Sequence, residues 1–254
     1  MISFKSSLKN FLTIKKNTSI EKKSFYNKSE CFMLKTISYS IVFVSKIENN
    51  VIVSNLFDDI NSTRTLRKDV IEKVFPNENI TIENKGNSIN VSQYITSNGF
   101  KMTFEKPLRM MIECNCNGDD KKEEYINLIA QKIIDIIKEE RKNNINGLIS
   151  AMGFNYDFIE ETENPVDKLK KLTSINNEAL GDVVMALAFK KTDNETLNLT
   201  IVKDREKNNC ISYKANLDIK ITDNINICDL LKEKQKEFIV DTISNLYGEK
   251  DKNS

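Results

Sequence analysis

Hydrophobic and polar positions alternate along most of this chain with one of two periods, and the period changes several times. From residue 36, "TISYSIVFVSK" places Ile37, Tyr39, Ile41 and Phe43 on one face at period two, while Val42 and Val44 make the other face apolar as well. Apolar residues on both faces predict a well-buried strand. "NNVIVSNLF" reads as a second strand across a turn at Asn49 and Asn50. "STRTLRKDVIEKVFP" shifts to helical spacing through Leu66, Val70, Ile71 and Val74, with Ser62 or Thr63 as N-cap and Pro76 as terminator.

A meander follows, with strands expected near 79–84, 89–95, 100–106 and 108–115, punctuated by Lys85-Gly86-Asn87 and Ser97-Asn98-Gly99. Pro107 marks an edge or bulge between the last two. The clearest helix spans 121–140, where Ile126, Ile129, Ile133, Ile136 and Ile137 form one stripe behind an acidic first turn at Glu123 and Glu124.

The second half repeats this grammar. "INGLISAMGFNYDFIEE" predicts a long strand bent at Gly147 or Gly153, and "NPVDKLKKL" a short helix with Asn164 as N-cap and Pro165 at the first helical position. Strands near 182–192, 197–204 and 210–222 lead to a final helix over 228–247 that stops at Gly248. An antiparallel meander followed by a long helix therefore occurs twice. The expected fold is α+β, an antiparallel meander sheet with the long helices packed on one face, in a two-lobe pseudo-repeat. The lobes would span 34–144 and 145–250, as separate units or one continuous domain, behind a basic extension over 1–33.

Composition narrows the function classes. The 254 residues are 39% hydrophobic, enough to bury a core, and 38 basic residues balance 37 acidic ones. A nucleic-acid binder needs surplus Lys and Arg to displace counterions from phosphates, so this balance argues against one. The abundance of Asn, Lys and Ile fits the codon bias of an AT-rich genome, and single Lys and Asn residues are discounted accordingly. Charge is uneven only in the first thirty residues, where seven lysines face two glutamates. Phe4, Leu8, Phe11 and Leu12 recur there at helical spacing. A basic amphipathic helix touching a membrane or RNA is one reading, and an apolar side packed on the main domain is the preferred one.

The five cysteines, Cys31, Cys114, Cys116, Cys210 and Cys228, are scattered and odd in number, with no leader-like apolar run ahead of them. Free thiols in a cytoplasmic protein are expected. Cys114 and Cys116 in "IECNCNGDD" lie at i and i+2 and face the same side of a strand, which a metal could exploit. The chain has no histidine and no second paired cysteine spacing to complete a zinc site, so strand end, turn at Asn117-Gly118 and helix cap at Asp119 or Asp120 is preferred. No cofactor is expected.

Lack of histidine also removes Ser-His-Asp and Cys-His catalysis within one chain. The enzymatic alternative is a magnesium-dependent nuclease in which two carboxylates and a lysine hold the ion and position water: Asp218 and Lys220 on one face of a strand, with Asp204 on its neighbour and Asp182 at the start of the meander. Phe154, Tyr156 and Phe158 alternate on one face beside Met152 and could grip a base or peptide if that face were open, although most such stripes are core.

The phrases "INGLISAMGFNYDFIEE" and "LLKEKQKEFIVDTISNLYGE", with Asn155 and Tyr156 in the first and Tyr247, Gly248 and Glu249 in the second, resemble a family of uncharacterised bacterial α+β proteins over about 34 to 250. The first strand lacks that family's proline-rich opening, and the aromatic and Asn are inverted. The resemblance implies a fold and no activity. The expected function is a non-catalytic interaction module, an adaptor or regulatory subunit of a bacterial multiprotein system that binds another protein or forms a homodimer. The rivals are the nuclease and a membrane- or RNA-associated protein acting through residues 1–30.

Overall fold

The computed structural model describes residues 33–46, 67–84, 91–105, 109–140, 145, 147–173, 184–232 and 235–248. Its elements run β1 (Lys35–Ser45), α1 (Lys68–Val74), β2 (Ile80–Asn84), β3 (Val91–Thr96), β4 (Phe100–Glu105), β5 (Arg109–Asn115), α2 (Asp120–Glu140), β6 (Ile149–Glu161), α3 (Pro165–Lys170), β7 (Val184–Lys190), β8 (Glu195–Lys203), β9 (Cys210–Lys220), α4 (Ile227–Lys232) and α5 (Gln235–Leu246). The nine described strands form one sheet in the order β2-β3-β4-β5-β1-β6-β9-β8-β7, and every neighbouring pair is antiparallel. The class is α+β.

β1 has apolar side chains on both faces, and it sits inside the sheet between β5 and β6. Residues opposite one another on neighbouring strands point to the same face. Following the register therefore traces one apolar row across eight strands: Tyr94, Met102, Ile112, Ile41, Phe154, Leu217, Leu197 and Phe189. The first seven are buried and Phe189, near the edge, packs against them. Each such side chain contributes about 1.5–3 kcal/mol when withdrawn from water.

The isoleucine stripe of α2 is buried throughout, and α2 touches β1, β5, α1 and α4. Tyr39 of β1 donates its hydroxyl to Asn127 Oδ1 of α2 at 2.8 Å. Lys236 of α5 reaches back to Asp120 and Glu123 at the start of α2, at 2.9 and 2.8 Å. Asp119 caps α2, accepting from the Lys121 N–H at 3.1 Å, after Asn117 and Gly118 turn the chain in the left-handed region with φ of 52° and 84°.

A buried polar knot joins the other elements. Glu160, near the end of β6, is 4% exposed, accepts from the Tyr213 hydroxyl of β9 at 2.6 Å and pairs with Lys168 of α3. The Tyr213 and Tyr247 hydroxyls meet at 3.0 Å, and the Lys168 ammonium lies 4.6 Å from the centre of the Tyr247 ring. Burial, with Tyr247 and Glu160 adding to it, pushes the Tyr213 hydroxyl far above the usual tyrosine range. The knot is a neutral phenol holding a paired carboxylate.

Several expected details differ. Ser62, Thr63 and the strand through residue 57 lie outside the described residues, as do residues 1–32 and Asp182. The described part of the first helix begins at Lys68 and ends at Val74, because a residue preceding proline disfavours helical backbone and Phe75 precedes Pro76. Asn164 precedes α3 as expected, with Pro165 opening the helix, yet its side chain makes no capping hydrogen bond. The final helical region is described as α4 and α5 on either side of residues 233–234, and Gly248, with φ of 70°, follows α5 as expected. β6 runs straight through Gly153, and the turn lies at Gly147 and Leu148.

Candidate functional site

The alternation that fills one face of the sheet with apolar residues puts polar ones on the other. Reading across the centre, the row is Lys101, Glu113, Ser40, Asn155, Asn216 and Asn198, contributed by β4, β5, β1, β6, β9 and β8. Its members are bonded to one another. Lys101 pairs with Glu113. The Asn155 amide meets Ser40 Oγ at 3.0 Å and the Asn216 amide at 2.5 Å. A carboxylate can only accept, so Asn216 turns its nitrogen to Asp218, 2.6 Å from Oδ2 and 3.0 Å from Oδ1, and its oxygen to Asn155, which in turn presents its own nitrogen to Asn216 and accepts from the Ser40 hydroxyl. Asn198 Nδ2 donates to the same Asp218 Oδ2 at 3.2 Å.

Asp218 lies opposite Gly153 of β6. A Cβ at position 153 would approach Asp218 Oδ1 to 3.5 Å and the Asn216 amide to 3.9 Å, so the bare glycine leaves the carboxylate room above the sheet. Partial burial pushes the Asp218 carboxyl above its ordinary value, with the amides of Asn216 and Asn198 pulling the other way. On the far side of the row a hollow of about 320 Å³ opens, lined by Ser38, Ser40, Lys101, Glu113, Asn155 and Asp157 among others. Ser38 donates to Asp157 Oδ2 there at 2.7 Å. The surface offers amides, hydroxyls and carboxylates held by their neighbours. Such an array can offer hydrogen bonds to a polar ligand docked on it.

The residues expected to act together are dispersed. Asp218 and Lys220 are exposed on this polar face. Asp204 belongs to the β8–β9 turn, where its carboxylate accepts from the N–H groups of Glu206 and Lys207 at 2.9 and 3.1 Å and from the Ser212 hydroxyl at 3.0 Å. Ser212 is six residues before Asp218, about 20 Å along an extended strand. Burial raises the Asp204 carboxyl, and the Lys207 and Glu206 N–H groups with Ser212 outweigh it, leaving the group below its ordinary value. Asp204 is a turn-forming residue, and the described carboxylates of the nuclease reading do not converge.

Phe154, Tyr156 and Phe158 are buried on the apolar face, Tyr156 stacked on Tyr39 with ring centres 4.4 Å apart and on Phe158 at 5.3 Å. They are core residues, because that side of β6 meets the hydrophobic layer and is closed to a base or peptide. Cys114 and Cys116 do face each other, Sγ to Sγ 3.4 Å, and both are buried. Among the described residues no three His, Cys, Asp or Glu side chains are grouped to hold a metal ion. Among them, too, no helix is long and apolar enough to cross a membrane.

Discounting asparagine as compositional bias hides the polar row. The available signal was positional: Ser38, Ser40, Asn155, Asp157, Asn198, Asn216 and Asp218 all occupy the alternate, non-apolar register of central strands. No protein-family model and no curated protein sequence matches the chain.

Proposed function

We propose that this protein is a non-catalytic, cytoplasmic interaction module that binds another protein through the polar face of its sheet. The observation that carries the reading is the bonded row Ser40, Asn155, Asn216, Asp218 and Asn198 beside the hollow at Ser38 and Asp157. Short side chains fixed by one another lose little entropy when a partner docks. Charges on this face largely cancel, as in the Lys101–Glu113 and Arg109–Glu105 pairs, which suits a neutral polar protein surface better than a polyanion.

Two finer features belong to this reading. The helices occupy the opposite, apolar face and leave the polar one open. The halves are a pseudo-repeat in which each first strand, β1 or β6, pairs with the last strand of its own half, β5 or β9, while β1 and β6 pair with each other.

The test is a pull-down of the full-length protein from its own cells, with protein and nucleic acid identified by mass spectrometry and sequencing. It is repeated with Asn155→Lys, with Asn198→Lys, with Glu124→Lys as a helix-surface control, and without residues 1–30. A stoichiometric protein retained by the control and the truncation but lost from both sheet variants is the expected result. A partner indifferent to the sheet variants, or nucleic acid alone, overturns the proposal.

A further inference from the structure

The thiols of Cys114 and Cys116 are brought together by the end of β5. Cys114 is paired across the sheet with Tyr39 and Phe100, so its side chain enters the apolar layer. The next residue to point that way is Cys116, already past the strand. Its N–H and that of Asn117 both donate to the Ile37 carbonyl, at 2.7 and 3.1 Å, and Gly118 donates to Thr36 O at 2.7 Å. This clamp on β1 fixes the turn, and the sulfurs lie 3.4 Å apart. A disulfide needs about 2.0 Å, a closure that side-chain rotation and a small turn adjustment can supply.

The surroundings favour one thiolate and one thiol. The hydrogen bond from Cys116 outweighs burial and, with the nearby Lys122 ammonium, holds the Cys114 thiol below its ordinary value. The same bond and burial hold Cys116 protonated, well above its ordinary value. Glu123 and Asp119 oppose ionisation of Cys114, while Glu123 opposes and Lys236 favours that of Cys116. The two cysteines are 5% and 1% exposed, so oxidant, reductant and thiol reagents reach them through local opening of the turn after β5.

We propose that Cys114 and Cys116 are a redox-active dithiol oxidised by hydroperoxides to an intramolecular disulfide. The Cys114 thiolate attacks the peroxide oxygen, the O–O bond breaks, hydroxide leaves, and Cys114 becomes a sulfenic acid. The Cys116 sulfur attacks Cys114, the S–O bond breaks, and the Cys116 proton leaves with the departing hydroxide as water. In sum two thiols and one hydrogen peroxide give one disulfide and two waters: two electrons pass from sulfur to oxygen. A dithiol reductant reverses the change by thiol–disulfide exchange. Asn115, between the cysteines, lines the hollow on the polar face and accepts from Lys122 at 3.0 Å, so closure of the sulfurs displaces one wall of the hollow.

The experiment uses the reduced full-length protein, treated with one equivalent of hydrogen peroxide at neutral pH and analysed by intact and peptide mass spectrometry. The expected product has lost two hydrogens, has them missing from the peptide containing Cys114 and Cys116, and recovers them with dithiothreitol. Cys116→Ser is expected to stop at a sulfenic acid on Cys114 that dimedone traps. Phenylarsine oxide, which bridges thiols at this separation, provides a measurement on the unmutated protein. One equivalent is expected to protect both cysteines from alkylation. Oxygen addition without loss of hydrogens at this peptide, no reaction there under conditions that oxidise a free thiol, or failure of the arsenical to protect the pair overturns the proposal.

Discussion

Replacing Glu160 by leucine removes the acceptor at the centre of the knot between β6, β9 and α3, and takes the Glu160 carboxylate away from the Lys168 ammonium, which is only 14% exposed. Breaking a buried pair from one side costs about 3–5 kcal/mol, because the remaining charge keeps its desolvation penalty. At about 2–4 °C per kcal/mol for a chain of this size, the midpoint of thermal unfolding should fall by roughly 6–20 °C. Lys168→Met should sit at the milder end of that range, since Tyr213 still donates to the carboxylate at 2.6 Å. The double variant Glu160→Leu/Lys168→Met removes both charges together, and Tyr213 keeps Tyr247 as a hydroxyl partner at 3.0 Å. Its destabilisation should fall short of the sum of the singles by about 2–3 kcal/mol. The chain has seven tyrosines and no tryptophan, so urea and thermal unfolding are best followed by circular dichroism with tyrosine emission as a second probe. Additivity of the two substitutions within about 0.5 kcal/mol would refute the reasoning, because it would mean that water screens the pair.

Gly118→Ala should cost about 1–2 kcal/mol in urea unfolding, chiefly from forcing an L residue into the left-handed region at φ 84°, since the atom its methyl would meet is the movable Lys35 Cε at 2.8 Å. In the folded state the Asp204 carboxyl titrates below its ordinary value of 3.8, so its stabilisation is complete above that value and lost as pH falls through the folded one. Asp204→Asn should therefore destabilise at neutral pH and flatten the acid limb of a stability–pH profile below about pH 4. Asp218 has the opposite sign: its folded value lies above 3.8, so the folded state binds the extra proton and stability declines as pH rises through that interval. Asp218→Asn should remove that decline, visible as a flatter profile just above pH 4.

The sequence made the interior of this sheet legible where burial imposed a strict period. Ile37 to Val44 carried enough apolar surface on both faces to imply a central strand, and the structure places β1 between β5 and β6. The isoleucine stripe placed α2 within one residue, and the residue types narrowed its cap to Asp119 or Asp120, of which the structure selects Asp119. What could not be read was which strands meet across long separations. Period two says that Tyr39 and Tyr156 each have an inward face, but their pairing across more than a hundred residues depends on the whole sheet closing. The proposed site was hidden for the same reason. Asn155, Asn198 and Asn216 are unremarkable residues on three separate strands, and only the register makes them one surface. Asp204 and Asp218 suffered the converse error, looking close along one hairpin while an extended strand carried them apart.

The place of β1 also sets the order in which the chain can be completed on the ribosome. Its segment from Thr36 to Ser45 carries no charge, yet one of its two neighbours ends at residue 161, 116 residues after Ser45. At about 5–20 residues per second, that flank stays unpaired for roughly 6–23 s of synthesis. The nascent first half therefore displays a raw, uncharged strand edge to the cell for far longer than a hairpin takes to form, and its survival there depends on whatever shields such edges during translation.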